Sequence, residues 1–167
     1  MVDHMILAEL DALESPLVEE PLFFVEAPGE PGPDPKLWPE EERQAAFIAH
    51  IKKTHSPVNA CAIRNEGKRG LKEQRQMKRT GLKSGAFDTL IFWDVKHASP
   101  DCPATVAMCE FKGFDARGRP GTLSANQIEY GNDLTRRGHK VACFYTAKAA
   151  LEWLASLGAP VQGRIAA

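Results

Sequence analysis

The sequence predicts an α/β domain, and three observations carry that prediction. Apolar runs of strand length, at 58–63, 86–94, 104–112 and 140–145, alternate with stretches of helical periodicity. Glycines stand where helices must stop, at Gly81, Gly138 and Gly158. The resulting order, α-β-(α)-β-β-α-β-α, calls for a mixed sheet with helices on its faces. A chain of 167 residues, 43% hydrophobic and 26% charged, is ordinary globular material. It matches about one domain and can bury about 70% of its unfolded surface.

Taken in order, residues 4–14 read as a short helix. Residues 16–39 hold seven of the twelve prolines together with Gly29 and Gly32. Such a stretch suits neither a helix nor a central strand, so residues 1–38 are expected to form an acidic, proline-rich arm. Within it, Leu22-Phe23-Phe24-Val25 is apolar enough to dock on the body or on a partner chain. Pro39 followed by Glu40-Glu41-Glu42 suits a helix N-terminus and its dipole. Ala45, Ile48 and Ile51 read as the buried stripe of that helix, which Ser56-Pro57 stops. Val58–Ile63 is a short strand, and the basic stretch 68–80 is helical.

The strands at 86–94 and 104–112 flank a loop carrying Pro100 and Pro103. A sharper helix start follows. Ser124-Ala125-Asn126-Gln127 fits a capping box, and Leu123 with Ile128 fits the hydrophobic staple beside it. That helix runs to Arg136-Arg137 and ends at Gly138. A strand at 140–145 and a helix over about 147–157 complete the body, residues 39–167.

Several classes are set aside by composition. No apolar run approaches the roughly 20 residues of a membrane helix, and the first residues lack the basic and apolar regions of a secretory signal. A cytoplasmic protein with no membrane partner is the expectation. The four cysteines form no CxxC pair and no zinc spacing. Cys61, Cys109 and Cys143 lie in apolar runs and read as reduced, buried hydrophobes. The five histidines are scattered, so a histidine metal site is not expected.

Charge is unevenly spread. Residues 1–40 hold ten acids against one base, Lys36, whereas the remaining chain is strongly basic. An acidic arm on a basic body is the footprint of a protein that meets phosphate, although a solvated basic surface reads the same way. Lys68, Lys72, Arg75 and Arg79 recur at i, i+4, i+7 and i+11, one face of a helix. Such a row suits the sequence-independent phosphate contacts of DNA binding. Lys83, Arg117 and Arg119 are further candidates for phosphate contact.

Strand alternation locates the chemistry. Val106, Met108, Glu110 and Lys112 share one face of their strand, and Asp88, Leu90 and Phe92 share one face of theirs. A hairpin turning near residue 99 pairs Phe92 with Val106, Leu90 with Met108, and Asp88 with Glu110. Opposed side chains on one face lie about 5 Å apart at Cβ. Two carboxylates and a lysine at the end of apolar strand faces are costly without partners. A hard divalent cation such as Mg²⁺ or Mn²⁺ would relieve the repulsion between Asp88 and Glu110. The bland alternative is a charged cluster at a strand end. Gln127 has two readings as well, the capping-box residue or a side chain of the site.

Asp88, followed 22 residues later by Glu110-Phe111-Lys112, resembles the D…ExK signature of the PD-(D/E)XK nucleases. The wider set of stretches, 63–70, 80–88, 109–112 and 121–127, resembles the VRR-NUC (virus-type replication-repair nuclease) branch over about residues 40–158. Phe87 departs from the pattern, standing where the signature has proline. The resemblance implies a restriction-endonuclease-like mixed sheet and a metal-dependent DNA endonuclease, structure-selective for branched, flapped or four-way DNA and often homodimeric. It implies metal ligation by Asp88, Glu110 and the Phe111 carbonyl, with Mg²⁺ or Mn²⁺ as cofactor. Lys112 would be the catalytic lysine and Gln127 would line the site. A glutamate of the first helix would add an outer metal contact. Glu41 is the expected one, because it shares a face with Ala45 and Ile48, with Glu42 close by. The competing functions are a non-catalytic nucleic-acid-binding module and a small-molecule or protein-interaction domain.

Overall fold

The computed structural model describes residues 19–63, 79, 83–94, 96 and 105–164. They form a five-stranded mixed sheet flanked by three helices, an α/β architecture. The strands are β1 (Phe24–Val25), β2 (Val58–Ala62), β3 (Thr89–Trp93), β4 (Val106–Phe111) and β5 (Lys140–Phe144). The helices are α1 (Glu40–Lys53), α2 (Ala125–Arg136) and α3 (Ala147–Ser156). Sheet order is β1-β5-β4-β3-β2, with β1, β5 and β4 parallel and β3 and β2 antiparallel to their neighbours. Among the described residues no helix is long and apolar enough to cross a membrane.

The β3–β4 register is the one that alternation predicts: Leu90 pairs with Met108 and Phe92 with Val106. Apolar side chains on the two sheet faces build two cores. Under α1 and α3 lie Phe47, Ile51, Ile91, Phe111, Phe144, Leu151 and Leu154. On the opposite face, Phe23, Phe87, Val141 and Cys143 pack with Met108, Tyr130 and Leu134. β4 and β5 are covered on both faces, so their sequences read as nearly continuous apolar runs. α2 opens with both bonds of the capping box, Ser124 Oγ accepting from the Gln127 backbone amide and Gln127 Oε1 accepting from the Ser124 amide. Gly138 and Gly158 end α2 and α3 with φ of +83° and +81°, as left-handed residues beyond a helix commonly do.

One expectation is sharpened and two are corrected. First, the apolar segment of the arm docks on the body, where Phe24 and Val25 add a parallel edge strand beside Ala142 and Cys143. Phe24 and Val25 lie in the proline-free window between Pro21 and Pro28, and an edge strand tolerates what a central one does not. Glu26 then accepts hydrogen bonds from the amides of Tyr145 and Thr146 at 2.7 and 2.9 Å and from the Thr146 hydroxyl at 2.8 Å, tying the arm to the start of α3. Second, the buried residues of α1 are Phe47 and Ile51, whereas Ala45 is exposed and Ile48 half-buried. Third, Cys61 is exposed, since it lies on the edge strand β2 and points away from the face on which Val58 and Ala60 join the core; Cys109 and Cys143 are buried as expected. The helix expected over 4–14 and nearly all of the basic stretch 68–80 lie outside the described residues.

Candidate functional site

Four elements converge at one end of the β3–β4 pair. Asp88 stands immediately before β3, Glu110 in β4 and Lys112 one residue past its end. Glu40 opens α1, and Gln127 sits at the third position of α2. Two glycines let these elements close on one another. A β-carbon on Gly113 would overlap the Trp38 carbonyl and the Glu40 amide, so only glycine admits the start of α1 so close to the end of β4. A β-carbon on Gly85, which has φ of +78°, would overlap the Asn126 carbonyl. The loop leading to Asp88 therefore lies against the first turn of α2.

Glu40, Asp88 and Glu110 each present a carboxylate oxygen, and the three oxygens lie within 4.8 Å of one another. The Lys112 ammonium donates to Glu110 Oε1 at 2.7 Å and to Glu40 Oε2 at 3.4 Å. Gln127 Nε2 donates to the same Glu110 Oε1. The Asp88 amide reaches Glu110 Oε2 at 3.2 Å. The carboxamide oxygen of Gln127 stays on the Ser124 amide at 2.9 Å. One end of the Gln127 side chain thus caps the helix while the other holds Glu110.

Burial sets the electrostatics. Glu110 is 1% exposed and Lys112 7%. Desolvation pushes the Glu110 carboxyl up to about 7; Lys112 opposes that rise, while the Asp88 charge adds to it. For Lys112 burial works against the charged form, but the charge and hydrogen bond of Glu110, together with the Glu40 charge, hold the ammonium pKa above its ordinary value. Three carboxylates this close repel unless a cation or protons intervene, and Lys112 supplies only one positive charge. Their all-oxygen donor set fits a small hard divalent ion. Phe111 lines the same cleft of about 680 Å³ as Glu40, Glu41 and Asp88.

The glutamate that joins the cluster is Glu40, not Glu41. Glu41 faces the cleft beside it, and Glu42 is exposed in the same first turn. The cause is the phase of α1. Glu40, Gln44, Phe47 and Ile51 follow one another at i, i+4, i+7 and i+11, so the face that buries Phe47 and Ile51 carries Glu40 into the site. Gln44, on that face, donates to the Thr89 hydroxyl at 2.7 Å. Phe87, the departure from the resembling pattern, is fully buried.

The basic candidates are less closely gathered. Arg119 lines a second cleft, of about 500 Å³, together with Glu40, Gly113 and Gly121, and pairs with Asp115 at 2.6 Å. Arg117 is exposed on the same turn, its amide on Asp115 at 2.8 Å. Hydrogen bonds from Arg119 lower the Asp115 pKa. Lys83 is exposed, five residues before Asp88, and Arg79 is exposed in helical backbone. Lys68, Lys72 and Arg75 lie outside the described residues. No protein-family model, curated protein or solved structure matches the chain.

Proposed function

We propose that the protein is a metal-dependent DNA endonuclease with a restriction-endonuclease-like core, using Mg²⁺ or Mn²⁺ held by Asp88, Glu110, the Phe111 carbonyl and, on the outer side, Glu40. The observation that carries this reading is the convergence of three carboxylates with a buried lysine at the end of adjacent strands. A bound divalent ion would supply positive charge against the phosphoryl oxygens and acidify a neighbouring water.

The protein's own groups do the rest. Lys112, tethered by Glu110 and Glu40, offers its remaining N–H bond to an attacking water or to a phosphoryl oxygen as charge builds there. Its raised pKa keeps it a donor at neutral pH. Gln127 fixes the Glu110 carboxylate, so the ligand oxygens do not have to reorganise when substrate arrives. Arg119, in the cleft that shares Glu40, receives a flanking phosphate, and Lys83 and Arg79 extend the contact toward the duplex. Branched, flapped or four-way DNA is the substrate class, and a homodimer would present two such sites to two strands.

Cleavage of linear, flap, fork and four-way DNA with Mg²⁺ or Mn²⁺ tests the reading. Cutting of at least one branched substrate is expected, lost in EDTA and in Asp88→Asn. Salt-sensitive DNA binding without cutting of any substrate would leave a non-catalytic binding module of this fold. Absence of both binding and cutting would remove the nucleic-acid reading altogether.

A further inference from the structure

Residues 19–23 are held by a slot cut into α2. Gly131 and Asn132 lie in the middle of that helix, where glycine is a poor helix former. The reason for glycine is steric, because a β-carbon there would overlap the ring of Phe23. Beside it, Asn132 is fully buried and reads the arm's backbone like a paired strand. Its Oδ1 accepts from the Leu22 amide at 2.7 Å, and its Nδ2 donates to the Glu20 carbonyl at 2.9 Å. An ion pair between Glu19 and Arg136 closes the slot one turn further on.

What Phe23 touches lies next to the site. Its ring meets Phe87 edge-on at 5.4 Å between centroids, and Tyr130 holds Phe87 from another side at 6.0 Å. Phe87 is 0% exposed and is bonded directly to Asp88. From Asp88 the contact continues through its amide to Glu110 Oε2. We infer that Phe23 is a positioning residue for Asp88: the arm supplies one wall of the aromatic box that fixes Phe87, and so fixes the backbone of the carboxylate that follows. Residues 20–26 are thus part of the site's scaffold. The inference concerns the carboxylate of the proposed nuclease site, but its primary test needs neither metal nor DNA, so the two readings fail separately.

Amide hydrogen exchange at Asp88, read by NMR on the full chain, is that test, with Cys109 and Ala142 in the central strands as reporters of global opening. Phe23→Ala and Gly131→Ala each remove the ring from its slot, the first by truncation and the second by filling the space. Alanine favours the helix over glycine, so loss of helix propensity does not explain the second variant. Both are expected to speed exchange at Asp88 by about tenfold or more, with Cys109 and Ala142 changed by less than about twofold. Phe23→Leu, which keeps an apolar wall, restores most of the protection. Gly131→Ala and Phe23→Leu carry the test should Phe23→Ala not fold. Unchanged exchange at Asp88 in folded variants would overturn the inference, as would acceleration at Asp88 in step with Cys109 and Ala142. Where cleavage is measurable, kcat should fall in Gly131→Ala while KM for DNA holds.

Discussion

The Lys112 ammonium lies 2.7 Å from the Glu110 carboxylate, two residues back on the same strand face, and water reaches almost none of either side chain. Breaking such a pair from one side strands a buried charge, at a cost of about 3–5 kcal/mol, softened here because Glu110 can take up a proton instead. Lys112→Met is therefore expected to destabilise the fold and to abolish cleavage. The double variant Glu110→Gln with Lys112→Met should recover most of the stability and none of the activity. Denaturant melts of the three proteins check this, and a double variant no more stable than Lys112→Met would contradict it.

The Glu110 carboxyl also sets a pH dependence. Its pKa rises from 4.5 to about 7 on folding, so the folded chain binds the proton more tightly than the unfolded chain. The stability linked to that proton is present below about pH 4.5 and lost as pH climbs through about 7. In EDTA, Glu110→Gln should gain on the wild type between these limits, by on the order of 1–3 kcal/mol. Lys112 is raised as well, and its share persists until pH exceeds the ordinary lysine range. A divalent ion competes with the Glu110 proton, so Mn²⁺ affinity should climb up to about tenfold per pH unit below 7 and level off above it. Calorimetry at about pH 5.5, 7 and 8.5 measures this, and an affinity independent of pH would exclude Glu110 as a ligand.

Gln127 separates helix capping from site chemistry. Ser124→Ala removes the side-chain cap, for about 1 kcal/mol of stability, and leaves the Gln127 amide on Glu110. Gln127→Glu keeps a capping-box acceptor but adds a further carboxylate against Glu110, beside Asp88 and Glu40. Cleavage near the wild-type rate is expected for Ser124→Ala, and a loss of about 10²-fold for Gln127→Glu. Equal losses in both variants would show that only the helix start matters.

Much of this arrangement is legible in the sequence because it depends on local rules. Strand parity fixes which face Asp88, Glu110 and Lys112 take, and a turn centred near residue 99 then gives the observed pairing of Leu90 with Met108. The Ser124–Gln127 box and Gly138 mark both ends of α2 by chemistry that acts within one turn. What stays hidden depends on partners distant in sequence. That Leu22–Val25 can dock is legible, but its strand partner β5 lies more than a hundred positions away, and no local rule names it. The face of α1 was ambiguous because Ala45, Phe47, Ile48 and Ile51 offer two apolar stripes about one residue apart in phase. Only the sheet beneath decides between them, in favour of the one that ends in Phe47 and Ile51.

That choice of stripe makes Glu40 and Glu41 a stringent pair. They are adjacent glutamates at the start of α1, so helix dipole and propensity effects are nearly the same for each. Only Glu40 reaches the carboxylate cluster and the Lys112 ammonium. Glu40→Gln keeps the size of the side chain and removes its charge. It should weaken Mn²⁺ binding by about 10–100-fold, the range for partners just outside a metal's direct ligands, and free Lys112 from one of its two anchors. Glu41→Gln should stay within about twofold of the wild type in both binding and cleavage, with stability changed by less than about 0.5 kcal/mol. Titration of Mn²⁺ into the two variants side by side decides the matter. A larger loss in Glu41→Gln would mean that α1 turns its other face to the site when the ion is bound.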